Sequence, residues 1–323
     1  MPKARGVNAL FDRLAALKGK PASAESRTVI AEGLKSPANV VVEKAAKLAG
    51  ELGFADLCGE FSAAFFRFMR DPKYVDRGCG AKIELARAAV DLKCPAEAMF
   101  LAGIRHVQME GPSYDAAAEL RQLSALGLVQ IRYPDVMNEL VELLIDPVQQ
   151  ARIGAVRALG HTGREDAALL LRMKVLIGDR QQDVIAECFA TMMELSAATQ
   201  LAFVERYLDS EDVQIRDGAA LAIGASRHPE AFEVLRQCFE RNIDRWPQPT
   251  LLLALATCRT SAAMEFLMSL VTADRPAVAV DAIAALALYR HDPNIQVKVY
   301  AAVRDCGSDM IKSQYSKHFS PDT

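Results

Sequence analysis

Two stretches decide the fold: Asp146–Gly160, DPVQQARIGAVRALG, and Asp209–Gly224, DSEDVQIRDGAALAIG. When Arg152 is aligned with Arg216, small residues match three and six positions later, an aliphatic residue matches at seven and glycine at eight. Small residues at this spacing share one helix face, where they let a neighbouring helix approach closely. Each stretch therefore predicts a helix that packs tightly against a similar one.

The same register recurs along most of the 323 residues. Its eight copies start at residues 45, 85, 119, 152, 186, 216, 248 and 279, so consecutive starts are 30 to 40 residues apart. A fixed period in this range is typical of repeat architectures, in which each repeat is one supersecondary unit. The spacing therefore predicts a repeat array.

Each repeat is predicted to contain two helices. A glycine is expected as the C-cap of the first helix, and a second helix follows after a short turn. Second helices are predicted at Glu165–Ile177, Ala197–Leu208, Glu230–Glu240 and Ser261–Val271. A capping Ser or Asp then precedes the next first helix, as at Ser36-Pro37 and Asp146-Pro147. Asn-Gly hairpins and long β-branched runs are missing from the sequence, which favours an all-α fold.

The pattern D-x(5)-R-x-x-A-x-x-A-L-G at this spacing resembles HEAT repeats, in particular the short bacterial HEAT-like type associated with phycobilisome lyases. The resemblance implies a right-handed α-α superhelix, a HEAT-like α-solenoid of about eight helix pairs. It spans residues 36–305, with units expected to start near 36, 75, 112, 146, 179, 209, 242 and 273. Residues 71–80 and 107–116 are expected to interrupt the repeat.

The two ends of the chain are expected to close the array. Residues 1–35 are predicted to form a capping helix, Ala9–Leu17, followed by a linker. Residues 306–323 are predicted to form a C-terminal cap or tail. Phe61, Phe65 and Phe68 fall on one face of a second helix and are predicted to lie in the core, with a groove for a partner helix as the alternative.

Composition restricts the function classes. Hydrophobic residues make up 51% of the chain, and a net charge of -3 argues against a broadly basic surface for nucleic acid. Aromatic residues make up 7%, with Trp246 as the single tryptophan, which leaves little material for stacking bases. No apolar run reaches the roughly 18 residues of a membrane span, and no secretory leader is visible. Seven cysteines without a CxxC pair predict free thiols and a cytoplasmic location.

The segment from Arg105 to Asp115 is the strongest candidate for a site, because it interrupts the repeat and is rich in polar side chains. The candidate residues there are Arg105, His106, Gln108, Glu110, Tyr114 and Asp115. Loops carried on a rigid scaffold often hold functional residues. A partner-binding role is predicted, with an inert polar connector and a His–carboxylate acid–base relay as the alternatives.

A second candidate is the row of residues next to the core position of each second helix. The HEAT-like resemblance implies that these helices line the concave side of the array. Arg105, Arg172 and Arg236 belong to this row, together with Glu205 and apolar residues. Such mixed character favours a protein partner or an acidic peptide over a phosphate backbone, with a solvated surface as the alternative.

Other polar residues carry structural predictions. Arg152 and Arg216 are expected to pair with Asp146 or Asp209 in a ladder along the array, with anion binding as the alternative. The histidines are expected to close helix ends, and no His-Glu pair of the kind used by HEAT-like di-iron hydroxylases of the deoxyhypusine type occurs. No metal site or cofactor is therefore predicted. Cys79 is either a core thiol or a reactive thiolate near a helix N-terminus.

Together these features predict a non-catalytic scaffold that binds another protein or peptide through the concave face of the solenoid. The alternative is a HEAT-like enzyme or enzyme subunit that resembles the phycobilin lyases or the helical-repeat alkylpurine DNA glycosylases. The glycosylases use a basic groove with tryptophans, whereas this chain has a pI near 6.0. A structural subunit that bridges two other proteins is a third possibility.

Overall fold

A computed structural model gives the fold and describes residues 2–243, 247–273, 275–304 and 308–319, leaving aside the side chains of residues 2–5. Over these ranges the regular structure is helical, and the predicted all-α fold is confirmed. The α-helices are α1 (Pro2–Ala15), α2 (Ala24–Leu34), α3 (Asn39–Leu52), α4 (Cys58–Met69), α5 (Pro72–Val75), α6 (Gly80–Asp91), α7 (Glu97–Ile104), α8 (Ala118–Gln130), α9 (Val136–Leu143), α10 (Gln149–His161), α11 (Glu165–Ile177), α12 (Gln182–Glu205), α13 (Val213–Ser226), α14 (Ala231–Asn242), α15 (Pro249–Thr257), α16 (Ser261–Val271), α17 (Pro276–Leu286), α18 (Pro293–Arg304) and α19 (Asp309–Phe319). Short 3-10 helices lie at Ala55–Leu57, Arg77–Cys79 and Ala287–Tyr289.

The chain divides into two compact units, Met1–Ala167 and Ala168–Thr323. In the first unit, α3, α6, α8 and α10 pack side by side as the first helices of successive pairs, and α4, α7 and α9 pack against them as second helices. In the second unit, α13, α15 and α17 form the same kind of row, accompanied by α14, α16 and α18. Within each unit a helix pair buries its apolar face against the next pair, which is how repeat arrays gain stability.

The repeat pattern identifies the core. The small residues of the motif are fully buried, as at Ala155 and Ala219, and so are its aliphatic residues Leu159 and Ile223. The core positions of the second helices are also buried, namely Ile104, Leu140, Leu171, Val204, Leu235 and Leu267. Phe61, Phe65 and Phe68 are buried as predicted.

The glycine of the motif has a different role from the predicted one. Gly127 and Gly224 lie inside α8 and α13, so their prediction as C-caps is wrong. A Cβ on Gly127 would come within 2.5 Å of the Phe100 ring, and one on Gly224 would collide with the carbonyl oxygen of Ala254. These glycines are needed because a neighbouring helix lies against them. Only near the N-terminal end does the prediction apply, since Gly53 caps α3 with a φ of 79°.

The predicted Ser and Asp caps are also displaced. Asp146 lies before the N-cap of α10, and its Oδ1 accepts the backbone N–H of Val148 at 2.8 Å. Ser36 Oγ likewise accepts the backbone N–H of Ala38, two residues further along the chain. Both side chains therefore stabilise the turn before the helix instead of the helix end. Asp212 is a true N-cap, because its Oδ1 accepts the N–H of Gln214 in α13 at 2.9 Å.

The N-terminal 35 residues hold two helices, α1 and α2, where the sequence predicts one helix and a linker. Ser23 and Ser26 form a reciprocal capping box at the start of α2. The Ser26 N–H donates to Ser23 Oγ at 3.1 Å, and the Ser23 N–H donates to Ser26 Oγ at 2.8 Å. Serine in place of Glu or Gln at the second position makes this box hard to recognise in the sequence.

The prediction that all cysteines are free thiols is wrong at one pair. Cys58 and Cys94 form a disulfide, with their Cα atoms 5.6 Å apart. Cys58 opens α4 and Cys94 follows α6, and the packing of α4 on α6 brings them together. The remaining described cysteines, Cys79, Cys188, Cys238 and Cys258, are free and buried. Cys306 and Trp246 lie outside the described residues.

Among the described residues, no helix combines the length and the apolar character that crossing a bilayer requires.

Candidate partner-binding surface

Two connections interrupt the repeat in the first unit, and we call them together the repeat break. They are residues 71–79, between α4 and α6 and including α5, and residues 105–117, between α7 and α8. The second connection folds back on itself, because the Glu110 N–H donates to the carbonyl of Tyr114 at 2.8 Å and the Ala116 N–H to that of Gln108 at 2.9 Å. The candidate segment is therefore a hydrogen-bonded structure of its own.

Gln108 and Glu110 tie the two connections together. Gln108 Nε2 donates to the carbonyl of Asp76 at 2.8 Å and to Glu110 Oε1 at 2.9 Å. Glu110 Oε1 also accepts the Gly78 N–H at 2.9 Å. The Gly78 N–H, followed by the Gln108 amide, lowers the pKa of Glu110 below its ordinary value, so the carboxylate stays ionised at neutral pH.

A buried ion pair lies under the first connection. Lys82 Nζ lies 2.9 Å from Asp76 Oδ2, and both side chains are fully buried. The same carboxylate accepts the backbone N–H groups of Ala81 at 3.0 Å and Lys82 at 3.1 Å, which satisfies donors at the start of α6. Asp76 thus holds the connection and the helix in one arrangement.

A second buried cation, Arg121 of α8, lies under the other connection. It lies 2.7 Å from Asp115 Oδ2 and 2.9 Å from Asp146 Oδ2, and it donates to the carbonyl of His106 at 2.8 Å. The planar guanidinium suits such a cluster because it can satisfy several acceptors at once. Arg121 therefore joins both ends of the candidate segment to the following repeat.

The surroundings of Asp115 and His106 shift the pKa values of both side chains. Burial alone would raise the pKa of Asp115, but N–H donation from Gln108 and Ala117 and the Arg121 guanidinium outweigh it and lower the pKa. Burial lowers the pKa of His106, whose Nε2 lies 3.3 Å from Gln108 Oε1. An amide cannot pass on a proton, so this contact gives no support to the acid–base alternative.

The outer surface of the repeat break is aromatic and apolar. Tyr74 is 85% exposed and Tyr114 is 63% exposed, and the side chains of Val107 and Met109 are also exposed. The highly exposed Arg77 lies 3.6 Å from Glu110. Two tyrosines and a guanidinium therefore face solvent above a buried network of charges.

The predicted row of residues next to the core positions of the second helices has members in both units. In the first unit, Arg105 pairs with Glu139 of α9. In the second unit, the Arg172 guanidinium lies over the Phe203 ring at 4.4 Å, and Phe203 is on the same helix, α12, as the half-buried Glu205.

Arg236, the last member of the row, pairs with Glu233 and Glu240 on its own helix, α14. Its guanidinium is directed along α14 and does not meet Arg172 or Glu205 in the contacts described. In the second unit the row is therefore two separate polar clusters rather than one site.

The arginines of the first helices bind the turns before them. Arg152 Nη1 donates to the carbonyls of Asp146 at 2.8 Å and Pro147 at 3.2 Å, and Arg216 Nη1 donates to that of Ser210 at 2.9 Å. The Asp146 carboxylate is held by Arg121 of the preceding repeat. These contacts agree with a structural role, and Arg121 is a cation that reaches from one repeat to the next.

Sequence reasoning missed Tyr74, Asp76, Lys82 and Arg121. A signal for two of them exists, because a charged residue at a core-spaced position must find a buried partner. Lys82 lies three residues before Leu85, and Arg121 lies seven before Leu128, on the apolar faces of their helices. In the part of the chain that the structure describes, no group of three His, Cys, Asp or Glu residues could hold a metal ion.

A family model described as PBS lyase HEAT-like repeat matches residues 215–241. These residues belong to α13 and α14, one helix pair of the second unit. The chain is a HEAT-like repeat protein. The resemblance derived from the repeat motif is confirmed, and no curated protein matches the sequence.

Several solved structures are similar to this chain. Kap121p matches with a TM-score of 0.51 and 14% identity over 98% of this chain, which spans 41% of the Kap121p chain. The complex of CpcE and CpcF of phycocyanin lyase from Nostoc covers 92% of this chain and 96% of its own, with 15% identity and a TM-score of 0.37. Human deoxyhypusine hydroxylase covers 82% and 96%, with 16% identity and a TM-score of 0.35. At 14% identity the likeness to Kap121p concerns the fold alone.

Proposed function

We propose that this HEAT-like chain is a non-catalytic scaffold that binds another protein or peptide. The observation that carries the proposal is the repeat break, where Tyr74 and Tyr114 are exposed above two buried charge clusters. Tyrosine and arginine are enriched among the residues that dominate binding energy at protein interfaces. A surface that is already held in place loses less conformational entropy when a partner binds.

Each unit has its own predicted site residues, and we propose them as separate partner contacts. In the first unit these are Arg105, His106, Gln108, Glu110, Tyr114 and Asp115, of which Gln108 and Asp115 are buried and act by positioning the others. In the second unit they are Arg172, Glu205 and Arg236, on second helices of the kind that line the concave side in HEAT-like arrays. Arg172 presents its guanidinium on an aromatic ring, an arrangement suited to a protein partner.

Affinity capture from a native lysate, followed by mass spectrometry, tests this proposal when three versions of the chain are compared. The double variant Tyr74→Ser/Tyr114→Ser removes the exposed rings and leaves the buried charges in place. The control Tyr300→Ser removes a tyrosine that is also exposed, on α18 of the second unit. We expect a partner that the native chain and the control retain and the double variant loses. Identical capture by all three versions would contradict the proposal.

The enzymatic alternative is activity of the phycobilin-lyase type. It rests on the PBS lyase HEAT-like repeat at residues 215–241. Mixing the purified chain with a free bilin and an acceptor protein tests it, because attachment changes the absorption spectrum of the chromophore. A stable, enzyme-dependent spectral change would contradict the non-catalytic proposal.

We also propose a cytoplasmic location, in which the Cys58–Cys94 pair would be reduced. Cytoplasmic reductants keep most protein thiols reduced. Lysis of cells directly into a denaturant that contains an alkylating reagent tests the location, because the denaturant exposes Cys94, which is buried in the folded chain. A cytoplasmic chain is expected to carry label on Cys58 and Cys94, and an unlabelled pair would place it in an oxidising compartment.

A further inference from the structure

Helix α11 is apolar on both of its faces. Ala167, Ala168, Leu171 and Val175 are buried and form its core side. On the opposite side, Leu169 is 65% exposed, Leu176 63% and Ile177 74%, and Met173 is also exposed. A helix that is hydrophobic all round is normally buried on every side, so this exposed face calls for a covering partner.

The exposed side chains form one stripe. Leu169, Met173, Leu176 and Ile177 follow the spacing i, i+4, i+7 and i+8, which places them on the same face of a helix. At a rise of about 1.5 Å per residue, the stripe is about 12 Å long. This length matches the contact between two helices that cross at a small angle.

The two ends of the stripe carry opposite charges. The stripe is therefore complementary to a second copy of itself in the opposite orientation, which identifies the partner. Asp166 is exposed in the first turn of α11, and Arg180 is exposed just beyond its last residue. Met173 lies midway between them, seven residues from each, and also midway between Leu169 and Ile177. In an antiparallel pair of α11 helices related by a two-fold axis at Met173, Leu169 meets Ile177. Each Asp166 then lies at the C-terminal end of the other copy's α11, where Arg180 is an exposed cation in the turn that follows the helix.

We propose that α11 is a self-association surface, and that a second copy of this chain covers it as a two-fold symmetric dimer. A self-complementary patch is what a two-fold interface requires. Asp166 already pairs with Arg164 within the chain, but both side chains are about half exposed, and such surface pairs exchange easily. The proposal does not rest on the repeat break, and Arg172, which the proposed function also uses, lies on α11 but is not a member of the stripe.

The interface is small, so the dimer is expected to be weak and to depend on concentration. Stable interfaces bury about 800 Å² on each partner, and contact centred on one helix falls at or below that size. Sedimentation velocity of the full chain over about 1 to 200 µM tests this expectation. The apparent mass is expected to rise from 35.2 kDa towards twice that value as the concentration increases.

Two substitutions examine the apolar stripe. Leu176→Glu places a charge within the apolar stripe and is expected to leave the chain monomeric over the whole range. Val297→Glu is the matched control, because Val297 on α18 is equally exposed and lies away from the stripe. Both variants are first checked for an unchanged circular dichroism spectrum. A native chain that stays monomeric at the highest concentration would overturn the proposal and assign the stripe to a different protein.

Charge reversal gives a test specific to the two-fold arrangement. Asp166→Lys and Arg180→Glu each place like charges opposite one another twice per dimer, so each variant alone is expected to associate about tenfold more weakly than the native chain. An equimolar mixture of the two variants restores both opposite-charge contacts and is expected to recover native association. A mixture that associates no better than either variant alone would overturn the antiparallel arrangement, as would a dimer that Leu176→Glu leaves intact.

Discussion

The repeat break of the first unit and the regular repeats of the second unit hold their helices together in different ways. In the repeat break, the buried contacts are ionic, with Asp76 against Lys82 and Arg121 against Asp115 and Asp146. In the second unit, neighbouring helices meet through small residues. A Cβ on Gly218 of α13 would lie 2.7 Å from the Cβ of Ala186 in α12.

The difference shows what each arrangement achieves. Small-residue contacts need only the helical period, so they can be repeated along an array by a simple motif. Ionic contacts are directional, and a buried charge tolerates few alternative partners, so they can fix irregular backbone in one conformation. The repeat break can therefore carry Tyr74 and Tyr114 on a defined surface, whereas an uncharged connection of similar length would be mobile.

The largest effect is expected from breaking the ion pair of the repeat break. Asp76→Ala leaves the Lys82 ammonium buried without its carboxylate and removes the acceptor of two backbone N–H groups at the start of α6. The free energy of unfolding is expected to fall by about 3–5 kcal/mol, measured by urea denaturation with circular dichroism.

The control for that variant is Glu233→Ala on α14 of the second unit. Hydrogen bonds from Arg236 and Gln237 lower the pKa of Glu233 to about 2, yet its side chain is about half exposed to solvent. Its loss is expected to leave the urea midpoint unchanged. An equal decrease in the free energy of unfolding in both variants would contradict the proposal that buried charge pairs stabilise the chain more than exposed ones do.

Removal of the disulfide is expected to give the next largest effect, because the bond links α4 covalently to the segment after α6, beside the repeat break. Cys58→Ser opens a loop that spans 36 residues, and the free energy of unfolding is expected to fall by about 2–4 kcal/mol. The reduced native chain should match the variant. Equal stability of the native chain in oxidising and reducing buffer would refute the claim that this bond stabilises the first unit.

A smaller loss is expected from filling a close contact in the second unit. Gly224→Ala pushes a methyl group against the carbonyl of Ala254, so α13 and α15 must separate, at a cost of about 1–3 kcal/mol in unfolding free energy. Gly59→Ala on α4 is the matched control, since a Cβ there meets nothing within 4 Å. It is expected to stabilise the chain slightly, through helix propensity. The same sign for both variants would contradict the proposed role of the motif glycine.

The smallest predicted effect concerns the pH dependence of the repeat break. Burial holds the pKa of His106 below its ordinary value of 6.5, so the unfolded chain takes up a proton at a higher pH than the folded chain does. Stability is therefore expected to fall as pH decreases through 6.5. Urea denaturation at pH 7.5 and 5.5 should show a smaller decrease for His106→Gln than for the native chain. The lowered pKa of Asp115 matters only below its ordinary value of 3.8.

Much of the regular structure could be predicted because it repeats. The predicted second helices Glu165–Ile177 and Ser261–Val271 agree with α11 and α16 residue for residue. The helical spacing of their apolar residues indicates which face is buried, and the repeat motif occurs eight times with the same spacing. Ala197–Leu208 is less well matched, because its helix merges with the preceding one across a kink at Ser196.

The repeat break could be located in the sequence but not explained from it. An interruption of the repeat marks residues 105–115, yet the partners of Gln108 and Arg121 lie on other repeats and have no fixed spacing in the sequence. The Cys58–Cys94 pair was missed for the same reason. The motif glycines were misassigned because a C-cap and a close helix contact both call for glycine.

Hydrogen exchange tests most directly whether the repeat break is a fixed surface. The informative amides are those of Gln108 and Ala117, which donate to Asp115, and that of Gly78, which donates to Glu110. The reference is the amide of Gln181, in an exposed turn of the second unit, where it donates to Asp179. We predict that the repeat-break amides exchange as slowly as those in the middle of α6 and α8. Exchange as fast as that of Gln181 would contradict it.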